Sequence, residues 1–398
     1  MLLYVTTGEP QEREARPLHT IPKTVCGLYD LGMREHSRKA LLLHREGDGW
    51  LETPDWRFDR MVIRIAVYAR ERLNVGAGER LAIMGPLTPL WLAAEFAILG
   101  LSGAAVGLSP ALSDDEIVAA LRTTHARLAL ATDVEAAARL LRLCPRAEEL
   151  GLVIGPDAAA SADNAFLGLG PFFELADTLD TAERAQAFRA TARGVAPEVV
   201  ALWHFAPDAP SHAQGLTHAQ AMSAVREHLL ALPAHAGDLA YVQGGSVTLP
   251  SRLACHAFVG DGYTTVALGE NGRASEEIPS LRPSKILANR DWVEGLWSQA
   301  QATADGWLVD ISRRLPRLVG LRSWVQRSPA VRRALASRLG DRVRWVESLQ
   351  AISSDVSRSL SRAGIRLVEN MANVDEGLGR TPESGFPLAA SGNGTGNA

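Results

Sequence analysis

The sequence predicts an α/β fold made of two packed, doubly wound and mainly parallel α/β subdomains. Short apolar runs of strand length alternate with longer segments whose apolar residues recur at helical spacing. Two capping boxes, Ser113 with Glu116 and Thr217 with Gln220, mark the starts of helices. Strands that alternate with helices form parallel sheets with right-handed crossovers. We therefore expect helices on both faces of each sheet.

Composition and charge are those of a soluble globular protein. The chain has 398 residues, of which 46% are hydrophobic and 22% charged, and a formal net charge of -4. No apolar run reaches the roughly 18 residues of a membrane-spanning helix, and the first ten residues do not form a signal peptide. The cysteines, Cys26, Cys144 and Cys255, are too far apart for a C-x-x-C pair. The sequence thus predicts a cytoplasmic protein with no metal site and no nucleic-acid partner.

The first subdomain is expected over residues 20–156, after an N-terminal extension over 1–19. Apolar residues at helical spacing predict a helix over 58–73, which the segment 74–78 ends. The remaining elements follow in strict alternation. They are strand 80–84, helix 89–101, strand 104–108, helix 113–124, strand 127–131, helix 134–143 and strand 152–154.

An alanine-rich connector over 157–198, with a helix over 182–192, leads to a second subdomain over 199–380. The second subdomain is expected to repeat the alternation of strands and helices. Its predicted strands are 199–205, 239–243, 263–268, 285–288, 343–346 and 365–368. The tail over 381–398 is rich in Gly, Ser, Asn and Ala and is expected to be disordered.

The stretch 199–218 reads V-V-A-L-W-H-F-A-P-D-A-P-S-H-A-Q-G-L-T-H. It predicts a strand, a loop of about ten residues and a helix start, which is the usual setting of a phosphate-binding loop. The loop chemistry opposes that use. No glycine occurs over 199–214, and Pro207 and Pro210 lack N–H donors. Asp208 would repel a phosphate by roughly 1 to 4 kcal/mol at a separation of about 4 Å.

From Trp203 to His218 the stretch resembles, at identical length, the phosphate loop Y-T-S-G-T-T-G-x-P-K-G-V-x-L-T-H of the adenylate-forming (AMP-binding) superfamily. Leu216, Thr217 and His218 match its end, and His212 occupies the position of its lysine. The resemblance implies a degenerate nucleotide loop. Its marked positions are His204, Asp208, Ser211, His212, Thr217 and His218.

Five motifs in the first third resemble the N-terminal domain of long-chain acyl-CoA synthetases in order and spacing. They are T-I-P-K-T-V (20–25), W-L-E-T-P-D-W-R-F-D-R (50–60), G-A-G-E-R-L-A-I-M (76–84), W-L-A-A-E-F-A-I-L-G-L-S-G-A-A-V (91–106) and L-S-D-D-E-I (112–117). None of these motifs is catalytic in the family. They therefore imply fold and ancestry rather than chemistry.

Two later segments resemble the family's nucleotide-binding motifs with their key residues changed. R-V-R-W-V-E-S-L-Q-A-I-S-S (342–354) carries Leu349 and Gln350 where the family has the Gly-Gly that contacts adenine. I-R-L-V-E-N-M-A-N-V-D-E (365–376) carries Met371, Val374 and Asp375 where the family has Tyr, Thr and the magnesium-binding Glu. The resemblance implies degenerate adenine and magnesium positions.

Other departures concern the acyl gate and the lid. Gly244, Gly245 and Ser246 replace the family's L-P-L-A-H segment, and Asn289 stands where P-R-x-W-E has its proline. The family continues with a lid domain that carries an essential lysine, whereas the last lysine here is Lys285. The resemblance therefore implies a degenerate and truncated member of the family, without the lid domain.

Three functions are compatible with these features. The first is a catalytically inactive scaffold or regulatory protein that binds a protein partner or an active homologue. The second is a fatty-acid or acyl-CoA ligase completed by a partner subunit, which would need ATP and magnesium. The third is an acyl-chain-binding module. The first accounts for every mismatch, so we expect no catalytic residue and no cofactor.

An arginine-rich segment over 307–345 contains ten arginines and two aspartates, interleaved with apolar residues and Trp324. Such a segment can lie on an anionic membrane surface, which would place the protein peripherally at the inner membrane face. The alternative is a helix pair with a solvated basic face, and it is the interpretation that we prefer. The arginines are Arg313, Arg314, Arg317, Arg322, Arg327, Arg332, Arg333, Arg338, Arg342 and Arg344.

Overall fold

The computed structural model describes residues 21–368 except 36–37, 39, 160–164, 207–208, 244–246, 271, 301, 303–334, 336, 349–351 and 363. Two seven-stranded sheets flanked by helices confirm the predicted α/β class. Most predicted elements are present with ends shifted by a few residues. The helices are α1 Val25–Glu35, α2 Asp55–Leu73, α3 Pro89–Gly100, α4 Asp114–Thr124, α5 Val134–Leu143, α6 Leu169–Leu179, α7 Ala182–Arg193, α8 His218–Ala231, α9 Leu249–Asp261, α10 Ala274–Leu281, α11 over 290–300 and α12 Ser354–Arg362.

The strands divide between the two sheets. The first sheet has the order β7-β6-β5-β3-β4-β8-β9, and the second has the order β14-β13-β12-β10-β11-β1-β2. The strands are β1 Leu42–Glu46, β2 Gly49–Thr53, β3 Arg80–Met84, β4 Ala104–Leu108, β5 Leu128–Ala131, β6 Leu152–Gly155, β7 Phe166–Gly168, β8 Val200–Ala206, β9 Ala209–Thr217, β10 Leu239–Gln243, β11 Thr265–Gly269, β12 Lys285–Ala288, β13 Trp345–Ser348 and β14 Arg366–Val368.

Both sheets are parallel except at one edge. In the first sheet β9 runs antiparallel to β8, and in the second sheet β2 runs antiparallel to β1. Every other neighbouring pair is parallel. Each sheet therefore has a hairpin at one edge, where a two-stranded antiparallel unit needs only a short turn.

Sheet membership does not follow the order of the chain. The strand predicted over 199–205 was expected to open the second sheet, but β8 pairs with β4 and lies in the first. The hairpin β1–β2 comes from the N-terminal part of the chain, yet β1 pairs with β11 of the second sheet. The two sheets thus exchange strands across the predicted boundaries at 156 and 199.

The connector over 157–198 is more ordered than the sequence predicts. Strand β7 pairs with β6 at the edge of the first sheet, and helix α6 follows it directly. The predicted helix over 182–192 is present as α7, which Thr181 caps. Arg60 of α2 bonds to Asp180 between α6 and α7, so the connector packs on the first subdomain.

Among the described residues, the largest of three clusters of buried apolar side chains contains residues of both sheets and of the helices packed between them. Helix α3 is buried on all sides except Leu90, and every residue of α9 is buried. Helix α3 is apolar apart from Glu95, and a helix that is apolar on nearly all sides is expected to be enclosed by protein. One cluster of buried side chains includes Trp91 of α3, Phe258 of α9 and residues of both sheets.

Local signals account for the helix ends near the site. Asn74 ends α2 in the left-handed conformation, with φ of 53°. The predicted capping boxes of α4 and α8 are both present, with side chain and backbone bonded reciprocally. In the part of the chain that the structure describes, no helix has the length and apolar character needed to cross a membrane.

Candidate functional site

The stretch that resembles a phosphate loop forms a β-hairpin. Strands β8 and β9 pair from Val200 opposite Thr217 to Ala206 opposite Ala209, with irregular pairing near Phe205. The loop of about ten residues predicted between strand and helix is therefore wrong: most of it is strand β9. Pro210 is tolerated there because β9 is the outermost strand of its sheet, where a missing N–H need not break a ladder.

The marked loop positions are distributed along this hairpin. His204 lies partly buried on β8, and the backbone of Ser211 and His212 lies on β9. Asp208 lies outside the described residues. The sequence did not predict β9 because only its last residue, Thr217, is β-branched. Its strand conformation therefore depends on pairing with β8 rather than on local preference.

The first turn of α8 follows the hairpin. In a phosphate-binding loop, the N–H groups of this turn would bind the phosphate. The N–H of His218 donates to Val199 O at 2.9 Å, and the N–H of Ala219 donates to Pro197 O at 2.8 Å. The N–H of Gln220 donates to Thr217 Oγ1 at 3.2 Å, and Gln220 Oε1 accepts from the Thr217 N–H at 2.9 Å. The first three N–H groups of this described turn are thus all bound to protein acceptors.

His218, the last residue of the motif, points into the protein. Its side chain is fully buried. Burial, and secondly the charge of His256, lower the pKa of His218 to about 4. The imidazole is therefore neutral at neutral pH and cannot supply a positive charge to a phosphate.

A buried polar cluster lies behind the hairpin and joins the two halves of the molecule. Glu95 on α3 and Arg252 on α9 are both almost fully buried. Arg252 Nε and Nη2 donate to Glu95 Oε1 at 2.9 and 2.5 Å. His256, one turn further along α9, has its Nε2 3.3 Å from Glu95 Oε2. These three residues form what we term the Glu95 cluster.

The arginine of the Glu95 cluster also holds the strands of the first sheet. Arg252 Nη1 donates to Trp203 O of β8 at 3.1 Å, and Nη2 donates to Ala105 O of β4 at 3.3 Å. Gly107 leaves room for it, since a Cβ there would lie 2.8 Å from Arg252 Nη1. The guanidinium also sits over the Trp91 ring, 5.2 Å from its centroid. Most donors of this buried cation are therefore satisfied.

Glu95 remains ionised inside the core. Burial raises its pKa, but the charges of Arg252 and His256 outweigh that effect, so the pKa is lowered overall. Sequence reasoning missed this cluster. The available signal was one glutamate in the otherwise apolar helix α3, since a buried carboxylate requires a partner.

The hairpin contains no lysine, and the next lysine along the chain lies in the second sheet. Lys285, the last lysine of the chain, is buried at the first residue of β12. Its Nζ lies 3.2 Å from Asp238 Oδ2. In open α/β sheets ligands bind outside the carboxyl ends of the strands. Lys285 lies at the amino end of its strand, away from that position. It forms a structural ion pair.

The crevice at the carboxyl ends of β10 and β12 is bridged by hydrogen bonds. The Asn289 N–H donates to Gln243 Oε1 at 3.3 Å. Asn289 Oδ1 accepts from the Trp292 N–H at 2.9 Å and so caps α11. Asn289, which stands where the family has proline, thus caps α11. Gly244, Gly245 and Ser246 lie outside the described residues.

Several predicted positions cannot be located. Leu349, Gln350, Met371, Val374 and Asp375 lie outside the described residues, as do most of the arginines over 307–345. Two described arginines of that segment bind protein groups: Arg342 donates to Gly237 O at 3.1 Å, and Arg344 pairs with Asp238. Among the described residues, no group of three or more His, Cys, Asp or Glu side chains could hold a metal ion.

The two sheets with their flanking helices form an adenylation-domain-like α/β fold. The model of the AMP-binding enzyme family matches residues 57–200. The resemblance to the N-terminal domain of the AMP-binding superfamily is therefore confirmed, while long-chain specificity stays a prediction. No curated protein matches the chain.

Solved structures share this fold at low sequence identity. The adenylation and carrier didomain of carboxylic acid reductase from Segniliparus rugosus, in complex with AMP, is 13% identical with a TM-score of 0.61 over 86% of this chain. The adenylation domain of the carboxylate reductase from Mycobacterium chelonae is 16% identical with a TM-score of 0.61, also over 86%. This chain spans 51% and 57% of those two chains. VinN in complex with L-aspartate is 13% identical, has a TM-score of 0.58 and is spanned over 74% of its length.

Proposed function

We propose that this protein keeps the scaffold of an adenylate-forming enzyme but does not adenylate, and that it acts as a scaffold or regulatory protein for a protein partner. The observation that carries the proposal is the first turn of α8. All three of its leading N–H groups are bound to Val199, Pro197 and Thr217. A helix N-terminus binds an anion through such groups, so this one offers a phosphate little.

The chemistry of the hairpin supports the same proposal. Residues 203–206 and 209–217 pair with each other, and the intervening Pro207 and Asp208 supply a residue without an N–H and a negative charge. Loss of one preorganised charge-stabilising donor typically lowers a rate by about 100- to 1000-fold. Several such groups differ here at once. Non-additivity reduces their product but does not restore the reaction.

A ligase completed by a partner subunit accounts for less of the structure. A partner could supply a lysine, but the α8 N–H groups would still be bound within this chain. Storage of a long acyl chain in the core is also unsupported by the apolar cavity of the described residues. The apolar cavity between α2, α3 and the first sheet, lined by Ile65, Ile98 and Phe172, has a volume of about 20 Å³. That is room for about one water molecule, which is far too little for an acyl chain.

The test is carboxylate-dependent exchange of pyrophosphate into ATP with magnesium, using short to long fatty acids, with calorimetric titration of ATP beside it. We expect exchange at background level and no tight ATP binding, because the donors that would hold the phosphates are occupied. A conventional acyl-CoA synthetase assayed in parallel shows that the conditions support exchange.

The contrary result is exchange well above background that is lost in the variants His212→Ala and Asp375→Ala. The matched control is His125→Ala, which changes an exposed histidine at the end of α4 that pairs with Glu149. Exchange that survives in the control but not in the two variants would show that the hairpin works as a nucleotide loop. The proposal would then be abandoned.

The partner is sought separately by pull-down of the full chain from its native host, with mass spectrometry of the protein and small-molecule content. We expect a stoichiometric protein partner. Copurified acyl-adenylate or fatty acid in place of a protein would favour one of the other two functions.

A further inference from the structure

A polar cleft lies where α1, α2 and α7 meet. It shares no residue with the hairpin or the Glu95 cluster. Its volume is about 270 Å³. Five charged side chains line it: Asp30, Arg34, Asp59, Arg189 and Arg193. We name it the α1–α7 cleft. Its lining residues carry one more positive than negative charge.

The two carboxylates of the α1–α7 cleft are already bound. Asp30 Oδ2 lies 2.5 Å from Arg34 Nη2 and accepts from Arg193 Nε at 3.2 Å. Asp59 Oδ1 accepts from the Tyr29 hydroxyl at 2.8 Å, and Asp59 Oδ2 pairs with Arg189. Burial, and secondly the charge of Asp59, raise the pKa of Tyr29, so its hydroxyl stays a donor. The acidic groups therefore act as anchors for the cations.

The three guanidinium groups retain capacity for an anion. Each has five N–H donors, and their bonds to the described residues use only one or two of them. Arg34 and Arg193 converge on a single carboxylate oxygen, which holds two like charges close together. Their side chains are 58% and 49% exposed, so an incoming anion can reach both.

The other lining residues of the cleft are apolar. Met33, Phe188 and Ala192 line it beside the arginines, and Phe188 and Ala192 are buried in the helix packing. An apolar surface next to a cationic one favours a ligand with both parts. The volume lies just below the ~300 to 1,000 Å³ of drug-sized ligand sites, which suits a ligand of a few heavy atoms.

We infer that the α1–α7 cleft binds a small organic monocarboxylate with a short aliphatic group. The carboxylate would bridge Arg34 and Arg193, because a planar guanidinium matches a carboxylate in two parallel hydrogen bonds. The aliphatic group would lie against Met33 and Phe188. This inference does not rest on the proposed loss of adenylation, since the cleft and the hairpin are separate.

The test is calorimetric titration of the full chain at low ionic strength with sodium hexanoate, and in parallel with sodium phosphate and hexan-1-ol. We expect saturable binding of hexanoate and none of hexan-1-ol. The double variant Arg34→Gln with Arg193→Gln should weaken hexanoate binding about tenfold or more, because charge-assisted hydrogen bonds are lost. The matched control Arg127→Gln, an exposed arginine paired with Glu79, should leave it unchanged.

Thermal unfolding of each variant establishes that it is folded, and the single variant Arg193→Gln replaces the double variant if the latter is not. The inference is overturned by any of three results. The first is no saturable hexanoate binding. The second is equal affinity in the cleft variants and the control. The third is binding of phosphate or hexan-1-ol as tight as that of hexanoate, since either would remove the requirement for a carboxylate with an apolar group.

Discussion

At the scale of single residues, His218 shows how a motif residue can persist with a different task. It is the last residue of the family's L-T-H pattern and the first residue of α8. Its side chain is fully buried near His256. A charged imidazole there would lose its hydration without gaining an opposite charge, so the neutral form is favoured. The residue therefore contributes packing to the fold and makes it sensitive to acid.

This sensitivity gives a pH prediction. The pKa of His218 is about 4 in the folded protein and near 6.5 in the unfolded chain. Between these values the unfolded chain binds a proton that the folded protein does not, so stability falls as the pH falls from about 6.5 towards 4. Between pH 7 and pH 5 we expect His218 alone to cost about 2 kcal/mol of unfolding free energy.

Urea unfolding at the two pH values measures this loss, and His218→Gln is the comparison because an amide does not titrate. The wild-type protein should lose about 2 kcal/mol more than the variant between pH 7 and pH 5. An equal loss in both proteins would show that folding does not lower the pKa of His218, which would contradict the prediction.

At the scale of elements, local signals predict well and non-local pairing does not. The starts of α4 and α8 are predictable because a capping box lies within four consecutive residues. Strand β9 is not predictable in that way, since its conformation comes from pairing with β8. The Glu95 cluster is even harder to predict from local sequence, because Glu95 and Arg252 are 157 residues apart in the chain. The part of the site that depends on contacts across the chain was therefore missed.

The Glu95 cluster joins α3 to α9, and its removal tests how much the two helices depend on it. Glu95→Gln leaves the buried Arg252 without its counter-charge. Breaking a buried ion pair in this way costs about 3 to 5 kcal/mol. We expect a loss of that size in the unfolding free energy, measured by denaturant titration at neutral pH.

Asp341→Asn provides the control, because Asp341 pairs with Arg282 on the surface. Solvent and salt screen such a pair, so a far smaller change is expected. If both variants lost the same stability, the buried pair would be no more important than a surface one.

At the scale of the whole molecule, the fold class was predictable but the membership of the sheets was not. Periodicity reports that a segment is a strand, whereas its neighbours are decided by packing and connection. Here β8 and β9 complete the first sheet and β1 and β2 complete the second. Helices α3 and α9 lie between the sheets and share the largest cluster of buried apolar side chains.

Exchange of strands and a shared core predict a single cooperative unfolding transition. Neither half can open without exposing α3 or α9 and breaking the Glu95 cluster. Tryptophan fluorescence and far-ultraviolet circular dichroism should therefore report the same midpoint in denaturant. Two separated transitions would show that the halves are independent domains.

Because β1 pairs with a strand made much later, the β1–β2 hairpin has no partner strand during part of synthesis. Thr265 of β11 bonds to Ala40, which precedes it by 225 residues. At about 5 to 20 residues per second, the β1–β2 hairpin leaves the ribosome roughly 10 to 45 seconds before the strand that it pairs with. Over that interval the apolar side chains of Leu42 and Leu43 have no sheet to cover them. Newly made chains are therefore expected to depend on chaperones more than the mature protein's stability alone would indicate.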